Sequence, residues 1–215
     1  MKKISAGMFT SVDGVVGEPH TWHFPYFCDE LGAAVTAQLG AADTLLFGRV
    51  TYDSFAGAWP AREAAREQDA AMAKTLGDAR KIVVSHSPLQ FSWRNSEQLQ
   101  GELIEGVRAL KNEPGDGVIG MSGSVSVVRQ LLDAKLLDEL HLYVHPVAIR
   151  YGLRLFGDAD SHIPLTLLSC TAFKSGTVYL VYGPSDGPRL ENQDPVAKKV
   201  EADFERTRQA EAGRE

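Results

Sequence analysis

The stretch GVIGMSGSVSVVRQLL, residues 117–132, places three glycines and three serines around the start of an apolar run. Its first part, VIGM at 118–121, reads as a short buried strand. Val125, Val128 and Leu132 then recur at helical spacing, which predicts a helix directly after the glycines. The segment therefore predicts a buried strand that turns sharply into a helix.

The glycines of this turn allow two interpretations. A helix N-terminus offers unpaired N–H groups and the positive end of the helix dipole, so it can bind an anion. Gly120 and Gly123 would let a phosphate approach without a Cβ in the way, while Ser122 and Ser124 would add hydroxyl donors or cap the helix. The alternative is a tight turn that merely needs glycine. The spacing does not match the Rossmann pattern.

Two other segments repeat the strand-to-helix pattern. In TLLFGRVTYDSF, residues 44–55, a buried strand reaches Gly48, and Arg49 and Thr51 follow at the predicted helix start. A guanidinium can bind phosphate through two hydrogen bonds. Ser85 ends a third buried strand. Three polar strand ends in one small sheet indicate a long ligand with several phosphates, such as a nicotinamide dinucleotide with a 2′-phosphate.

The chain as a whole alternates strands and helices before a final hairpin. This order predicts an α/β fold, with a mostly parallel sheet covered by helices on both faces and antiparallel strands at one edge. The predicted elements are a strand over Lys3–Thr10, a helix with the stripe Leu31, Ala34, Val35 and Leu39, strands at 44–48, 81–85, 118–121 and 138–149, a short helix over 49–59, an exposed helix over 61–76, a helix capped by Ser96, a helix over Val125–Leu137, and a hairpin of 165–173 with 177–183.

Composition narrows the class of protein. The 215 residues are 44% apolar, with a net charge of −6 and a pI of about 5.5, which disfavours nucleic-acid binding. No apolar stretch reaches about 18 residues, and no signal-peptide core follows the N-terminus, so we expect a cytoplasmic protein. Residues 1–183 form the predicted domain. Residues 184–215 read as a charged tail, with a surface helix from about Val196.

The two cysteines, Cys28 and Cys170, are far apart in the sequence. They could form one disulfide, but two buried free thiols in a reducing cytosol are the expectation.

In these motifs the sequence resembles the dihydrofolate reductase-like superfamily. It is most similar to the reductase domain of the bacterial riboflavin-biosynthesis deaminase–reductase and its stand-alone relatives. The matching segments, in family order, are SVDG at 11–14, TLLFGRVTY at 44–52, KIVVS at 81–85, GMSGSVSVVRQLL at 120–132, LLDELHLYVHPV at 136–147 and GLRLF at 152–156. They span roughly residues 3–183.

The resemblance implies a three-layer dihydrofolate reductase-like fold, NADPH as cofactor and a homodimer. Asp13 and Gly14 would belong to the loop that closes over nicotinamide and substrate, and Ser85 would lie near the adenosine. The residues that the resemblance assigns to the cofactor are Gly48, Arg49, Thr51, Ser85, Gly120, Ser122, Gly123 and Ser124.

This chain departs from the family pattern at three places. Met121 stands where family members usually have adjacent glycines, which puts the phosphate pose in question. Arg150 precedes Gly152 where the family often has a glycine pair, and it would either meet a phosphorylated substrate or be a surface arginine. Phe27 stands near the position of the folate-binding carboxylate, which argues against folate as substrate.

Reduction of a C=N or C=O bond also needs a proton source near the heteroatom. Asp13 is the first candidate, with a turn-forming aspartate as the alternative. Asp29 and then Glu30 are second candidates, with ordinary first-turn helix charge as the alternative. The aromatic residues of the loop, Trp22, Phe24, Tyr26 and Phe27, could wall a flat heterocycle or close the core.

Metal and hydrolase sites are disfavoured. His141 and His145 lie four apart on a predicted strand, hence about 13 Å from each other. His20 and His23 lack a guaranteed third ligand. No Gly-x-Ser-x-Gly elbow and no deaminase zinc signature is present.

The sequence therefore predicts an NADPH-dependent reductase of a small N-heterocyclic, imine or carbonyl substrate. By resemblance this is a 5-amino-6-(5-phosphoribosylamino)uracil reductase type of enzyme. The alternative is a non-catalytic protein of the same fold that binds or senses a nucleotide or heterocycle.

Overall fold

The computed structural model describes residues 1–66, 69–157 and 162–187, together with Lys199 and Arg206. The chain divides into two units, Met1–Pro184 and Ser185–Glu215. The helix predicted from about Val196 lies outside the described residues, except for Lys199 and Arg206. All that follows concerns the first unit.

One eight-stranded sheet organises this unit. The strands, in chain order, are β1 (Lys3–Ser11), β2 (Ala42–Gly48), β3 (Arg80–Val84), β4 (Ser96–Gln98), β5 (Val118–Ser122), β6 (Glu139–His145), β7 (Leu165–Ala172) and β8 (Val178–Pro184). Their order across the sheet is β4-β3-β2-β5-β1-β6-β8-β7. The first six strands are parallel, and β8 and β7 add an antiparallel hairpin, as the sequence predicted.

Helices cover both faces of the sheet because alternate strand residues are apolar on each side. The helices are α1 (Asp29–Gly40), α2 (Arg49–Ala65), α3 (Ala70–Asp78), α4 (Leu103–Lys111) and α5 (Val125–Asp133). On one face α4 and α5 pack on a core that includes Ile4, Ile119 and Leu140. On the other face α1, α2 and α3 pack on Leu45 and Phe47. The predicted fold class is confirmed.

Two helix predictions were wrong. Ser96 does not cap a helix, because Ser96–Gln98 pairs with β3, and α4 starts only at Leu103 after a turn at Gly101. The exposed helix expected over 61–76 is interrupted. α2 ends at Ala65, followed by left-handed Arg66, and α3 buries Ala73 and Leu76 against the sheet. Helix propensity could not reveal that the Ala-rich segment changes direction to cover the core.

The thiols are free, as predicted, but they are not both buried. Cys28 is half-buried before α1, and Cys170 is exposed on the edge strand β7. The burial expectation failed because β7 carries a nearly continuous exposed surface, including Leu167 and Leu168. Within the described residues no helix is long and apolar enough to cross a membrane.

Candidate functional site

The N-termini of α2 and α5 meet at the carboxyl ends of the parallel strands. They follow the neighbouring parallel strands β2 and β5. The backbone N–H of Gly48 donates a hydrogen bond to Ser124 Oγ over 2.7 Å. A Cβ on Gly123 would lie 3.5 Å from Thr51 Cγ2. The structure thus brings Gly48, Thr51, Gly123 and Ser124 together, and we call these four residues the glycine junction.

The backbone of the glycine junction explains its small residues. Gly123 has φ +75° and Ser124 has φ +63°, both in the left-handed region. The Gly123 N–H donates to the Gly7 carbonyl over 3.1 Å. Ser124 occupies the N-cap position of α5, but its hydroxyl bonds Gly48 and makes no capping hydrogen bond to the helix. Neither α2 nor α5 has a side-chain cap, so first-turn N–H groups of both helices remain for a ligand.

Gly120 does not belong to this junction. It lies buried inside β5, where an added Cβ would come within 2.6 Å of Ala42 Cβ. The expectation that Gly120 admits a phosphate is therefore corrected, since close packing of β5 against β2 accounts for this glycine. Met121 is fully buried in the core below α5, so its side chain does not crowd the junction. Ser122 ends β5, half-buried and beside Gly7 of β1.

The remaining predicted cofactor residues lie at the same edge of the sheet. Arg49 begins α2 with an exposed side chain, whose Nε donates to Asp53 Oδ2 over 2.7 Å. Ser85 follows β3, and its hydroxyl both donates to the Ser87 carbonyl and accepts from the Ser87 N–H. Arg49 directly follows Gly48 of the junction in the chain. Ser85 belongs to a local turn after β3, which lies on the opposite side of β2 from β5.

Asp13 is a structural carboxylate. It accepts hydrogen bonds from Ser11 Oγ at 2.6 Å and from the backbone N–H groups of Ile149 and Arg150 at 3.0 and 2.8 Å. Arg154 also contacts it. The Ser11 hydroxyl and these N–H groups hold the pKa of Asp13 well below its usual range. Asp13 therefore ties the segment after β6 to the end of β1. These hydrogen bonds match the alternative of a turn-forming aspartate, and the role of Asp13 as a proton donor stays a prediction.

Asp29 lies exposed in the first turn of α1. This position matches the alternative of ordinary helix charge, because a carboxylate there interacts favourably with the helix dipole. The neighbouring Glu30 accepts a hydrogen bond from the Lys174 N–H over 2.8 Å, which ties α1 to the β7–β8 turn. Arg150 is exposed, with φ +72°.

A group of aromatic rings, which the sequence did not predict as a unit, lies beside the junction at the ends of β1 and β6. Phe9 and Tyr143 are register partners on these strands. The loop before α1 brings further rings onto Phe9 and His145, and the shortest centroid distance to Phe9 is 4.7 Å, from His23. We call this set the aromatic cluster; its members are Phe9, Trp22, His23, Tyr26, Tyr143 and His145.

The polar groups of the aromatic cluster are buried. Burial lowers the pKa of His23 to about 4, with smaller contributions from His145 and His20. Burial also lowers the pKa of His145, against the Tyr143 and Thr10 carbonyls, which favour a proton on its ring. Burial raises the pKa of Tyr143. At neutral pH the buried rings of His23, Tyr143 and His145 are therefore uncharged.

The alternation of side chains along β1 and β6 is the feature of the sequence that could have indicated this cluster. Phe9 follows Gly7 by two residues, and His145 follows Tyr143 by two, so each pair shares one face of its strand. For His145 the strand spacing predicts only that it lies too far from His141 to share a metal ion with it. In the structure His141 instead bonds the Tyr179 hydroxyl at 2.6 Å and Glu139 at 3.2 Å. Among the described residues no group of three or more His, Cys, Asp or Glu could hold a metal ion.

Comparison with known families identifies the family to which the chain belongs. The model of the RibD C-terminal domain matches residues 2–179. The chain belongs to the RibD C-terminal domain family. Membership supports a reductase-type function, and it confirms the resemblance seen in the sequence motifs. In this chain the glycine junction and the aromatic cluster both lie at the carboxyl ends of parallel strands.

A sequence relative is Uncharacterized protein YyaP of Bacillus subtilis (strain 168). It is 28% identical over 144 residues, which cover 67% of this chain and 75% of the relative.

Solved structures share the fold at low identity. A protein of Shewanella sp. PV-4 named for riboflavin biosynthesis has a TM-score of 0.65 at 17% identity, over 85% of this chain and 99% of its own. The diaminohydroxyphosphoribosylaminopyrimidine deaminase/5-amino-6-(5-phosphoribosylamino)uracil reductase of Thermotoga maritima scores 0.59 at 15% identity, over 86% of this chain and 57% of its own. Dihydrofolate reductase of Enterococcus faecalis, complexed with NADP(H), scores 0.54 at 17% identity, over 86% of this chain and 97% of its own.

Proposed function

We propose that this protein is an NADPH-dependent reductase of a small N-heterocyclic, imine or carbonyl compound. The observation that carries the proposal is the glycine junction, where two uncapped helix N-termini from neighbouring strands meet. Such N-termini attract phosphate through free N–H groups and aligned dipoles. Two of them side by side suit a pyrophosphate better than a single phosphate.

The residues of the junction fit a dinucleotide. A side chain at Gly48 would crowd Ser124 Oγ at 3.4 Å, and Gly123 takes a left-handed conformation, so neither position places a Cβ beside the first-turn N–H groups of α2 and α5. Gly48, Thr51, Gly123 and Ser124 would hold the pyrophosphate, and Arg49 the 2′-phosphate. The relative from Enterococcus faecalis, of the same fold, is complexed with NADP(H). When bound, NADPH supplies a hydride.

The chain's own residues position the cofactor and the substrate and exclude water from them. The aromatic cluster adjoins the junction through β1, since Gly7 contacts Gly123 and Phe9 lies two residues further on the same strand face. Its rings exclude water from one side of the reacting centre. Asp13 holds the segment after β6 in place through the Ile149 and Arg150 N–H groups.

The substrate is a heterocycle other than folate. Phe27 stands where a folate-binding carboxylate is expected and is half-exposed, so that position offers no charge to a pterin. The Thermotoga maritima relative is named as a reductase of a phosphoribosylamino-uracil. A pyrimidine bearing a ribosyl phosphate is the finer form of the proposal.

A binding test separates the cofactors. Arg49→Ala should weaken NADPH about tenfold and leave NADH nearly unchanged, because only NADPH carries the 2′-phosphate. Isothermal titration of both cofactors measures this. Asp53→Ala is the matched control, since it removes the partner of Arg49 and should not weaken NADPH. Equal losses for NADPH and NADH in Arg49→Ala would contradict the assignment.

A non-catalytic heterocycle sensor is the second candidate function. The observation that favours it is the set of hydrogen bonds on Asp13, which favour its ionised form and so disfavour the first candidate for a proton donor. Absorbance of NADPH during incubation with carbonyls, imines and uracils distinguishes the two functions. Oxidation of NADPH by any of them supports the reductase, and binding without oxidation across the panel supports the sensor.

A further inference from the structure

The β7–β8 hairpin has two faces of different chemistry. Register partners in an antiparallel pair project to the same face, and successive residues of a strand project to opposite faces. One face of the hairpin is formed by apolar and aromatic side chains, which are Leu167, Cys170 and Ala172 of β7 and their register partners Tyr182, Leu180 and Val178 of β8. We call these six residues the hairpin face. The β7 residues on the opposite side are Thr166, Ser169 and Thr171.

The described chain leaves the hairpin face largely uncovered. Leu167 is 51% exposed, and Cys170 and Ala172 are exposed as well. The three β8 residues are half-buried, and of these Leu180 and Tyr182 pack against the margin of the core under α4 and α5. A strand that alternates apolar and polar residues is typical of a sheet with one buried face. On β7 this pattern is present without the layer that would bury it.

Leu168, next to Leu167 in the chain, lies on the other side of the hairpin. The pairing with β8 shifts between Leu167 and Ser169, so Leu168 is the extra residue of a β-bulge. A Cβ on Gly183 would lie 3.1 Å from Leu168 Cδ1, and Gly183 is the register partner of Thr166 on the polar side. Leu168 therefore belongs to the polar side, although at 55% it is about as exposed as Leu167.

Charge favours a second copy of this chain as the occupant of the hairpin face. The six residues carry no charge, whereas the whole chain has a net charge of −6. Two copies repel each other through their net charge, so an uncharged apolar face is the surface on which they can approach. A strongly charged partner would find no complementary charge on this face.

The dimensions of the face also fit its own copy. β7 has eight residues and β8 has seven, so the face is about 25 Å long and about 10 Å wide. Two sheets can pack face to face about 10 Å apart, and a two-fold axis between them lets each copy cover the other. Stable complexes bury about 800 Å² on each partner, which exceeds a face of two strands. We therefore expect a dimer that dissociates at micromolar concentrations.

We propose that the hairpin face is the surface through which two copies of this chain associate, as a two-fold symmetric dimer with the two sheets packed face to face. Leu167 is the most exposed of its large side chains and is the central apolar contact of the interface. The proposal is independent of the reductase function, because the glycine junction lies at the ends of other strands, β2 and β5.

Sedimentation velocity of the full chain between about 1 and 200 μM tests the proposal. Wild type should change from monomer to dimer as the concentration rises. Leu167→Asp should weaken association at least about tenfold, because it would bury a carboxylate in an apolar interface. Leu168→Asp is the matched control, since it places the same charge at an equally exposed neighbouring position on the opposite side, and it should dimerise like wild type.

Alkylation of Cys170 gives a second measurement that leaves the hairpin face unchanged. The chain has two cysteines, and Cys28→Ala removes the other one. In Cys28→Ala, excess N-ethylmaleimide should modify the exposed Cys170 about fivefold more slowly at about 200 μM protein than at about 1 μM, because the dimer covers this thiol. This measurement decides the matter even where Leu167→Asp does not fold.

A wild-type chain that stays monomeric at about 200 μM overturns the proposal, whatever other partner the face takes. Equal association of Leu167→Asp and Leu168→Asp overturns it as well, and so does an alkylation rate of Cys170 that does not change with concentration. Circular dichroism melting at about 1 μM, where wild type is monomeric, distinguishes lost association from lost folding. Both aspartate variants should melt there close to wild type.

Discussion

The glycine junction and the aromatic cluster both lie at the carboxyl ends of parallel strands, but they consist of different kinds of groups. At the junction, backbone groups and small residues carry the contacts, as in the Gly48 N–H to Ser124 hydrogen bond. In the cluster, large side chains from β1, β6 and the loop before α1 make the surface. The junction offers helix N-termini, which attract anions, whereas the cluster consists of buried rings that are uncharged at neutral pH.

The comparison also concerns hydrogen bonding. At the junction Ser124 gives up its capping role to bind the neighbouring strand end, so the free groups are helix N–H donors that water can reach. In the cluster His23 Nδ1 and His145 Nε2 are buried without a hydrogen-bond partner and cost free energy. Only the second set therefore stores a penalty in the folded chain.

The largest effect should come from Gly123→Val. The left-handed backbone at φ +75° and the contact with Thr51 disfavour a branched side chain, so we expect about 2 kcal/mol lower stability and about a hundredfold weaker NADPH binding. Urea unfolding and calorimetric titration measure the two. Gly57→Ala is the control: a Cβ at this exposed position in α2 meets no atom of the described chain within 4 Å, so the free energy of unfolding should rise by about 0.5–1 kcal/mol. An unchanged NADPH affinity in Gly123→Val would remove the junction from the cofactor site.

The next effect concerns the pH dependence of the cluster. The pKa of His23 falls from 6.5 to about 4 on folding, so the unfolded chain binds more protons between these values, and stability is lost as pH falls from 6.5 towards 4. Between pH 7 and pH 4, wild type should lose about 3 kcal/mol more than His23→Phe. Urea unfolding of both chains at the two pH values measures the difference. Parallel pH profiles would show that His23 is not buried as a neutral ring.

The smallest effect should come from Asp13→Ala, which frees the segment after β6 without touching the junction. The urea midpoint should fall further than in Asp29→Ala, because Asp13 binds two backbone N–H groups while Asp29 is an exposed first-turn residue. NADPH binding should be unchanged in both. A chain that keeps its full stability but loses all turnover in Asp13→Ala would instead restore Asp13 as the proton donor.

What the sequence by itself determined is the α/β fold and the residues of the glycine junction. Strand-to-helix turns leave local signals: glycine, serine and the onset of a 3.6-residue period appear within a few positions of Gly48 and Gly123. Parallel strands also force these turns to one edge of the sheet.

Tertiary structure decided what local patterns cannot contain. Gly120 looks like its neighbour Gly123, and only the approach of Ala42 shows that it serves strand packing. Asp13 looks like a free carboxylate until Ile149 and Arg150, distant in sequence, fold onto it. The aromatic cluster draws on residues from 9 to 145, so its burial, its pKa values and its unpaired atoms exist only once β1 and β6 pair. Hydrogen bonding and burial act across space, and sequence proximity encodes only the part of them that is local.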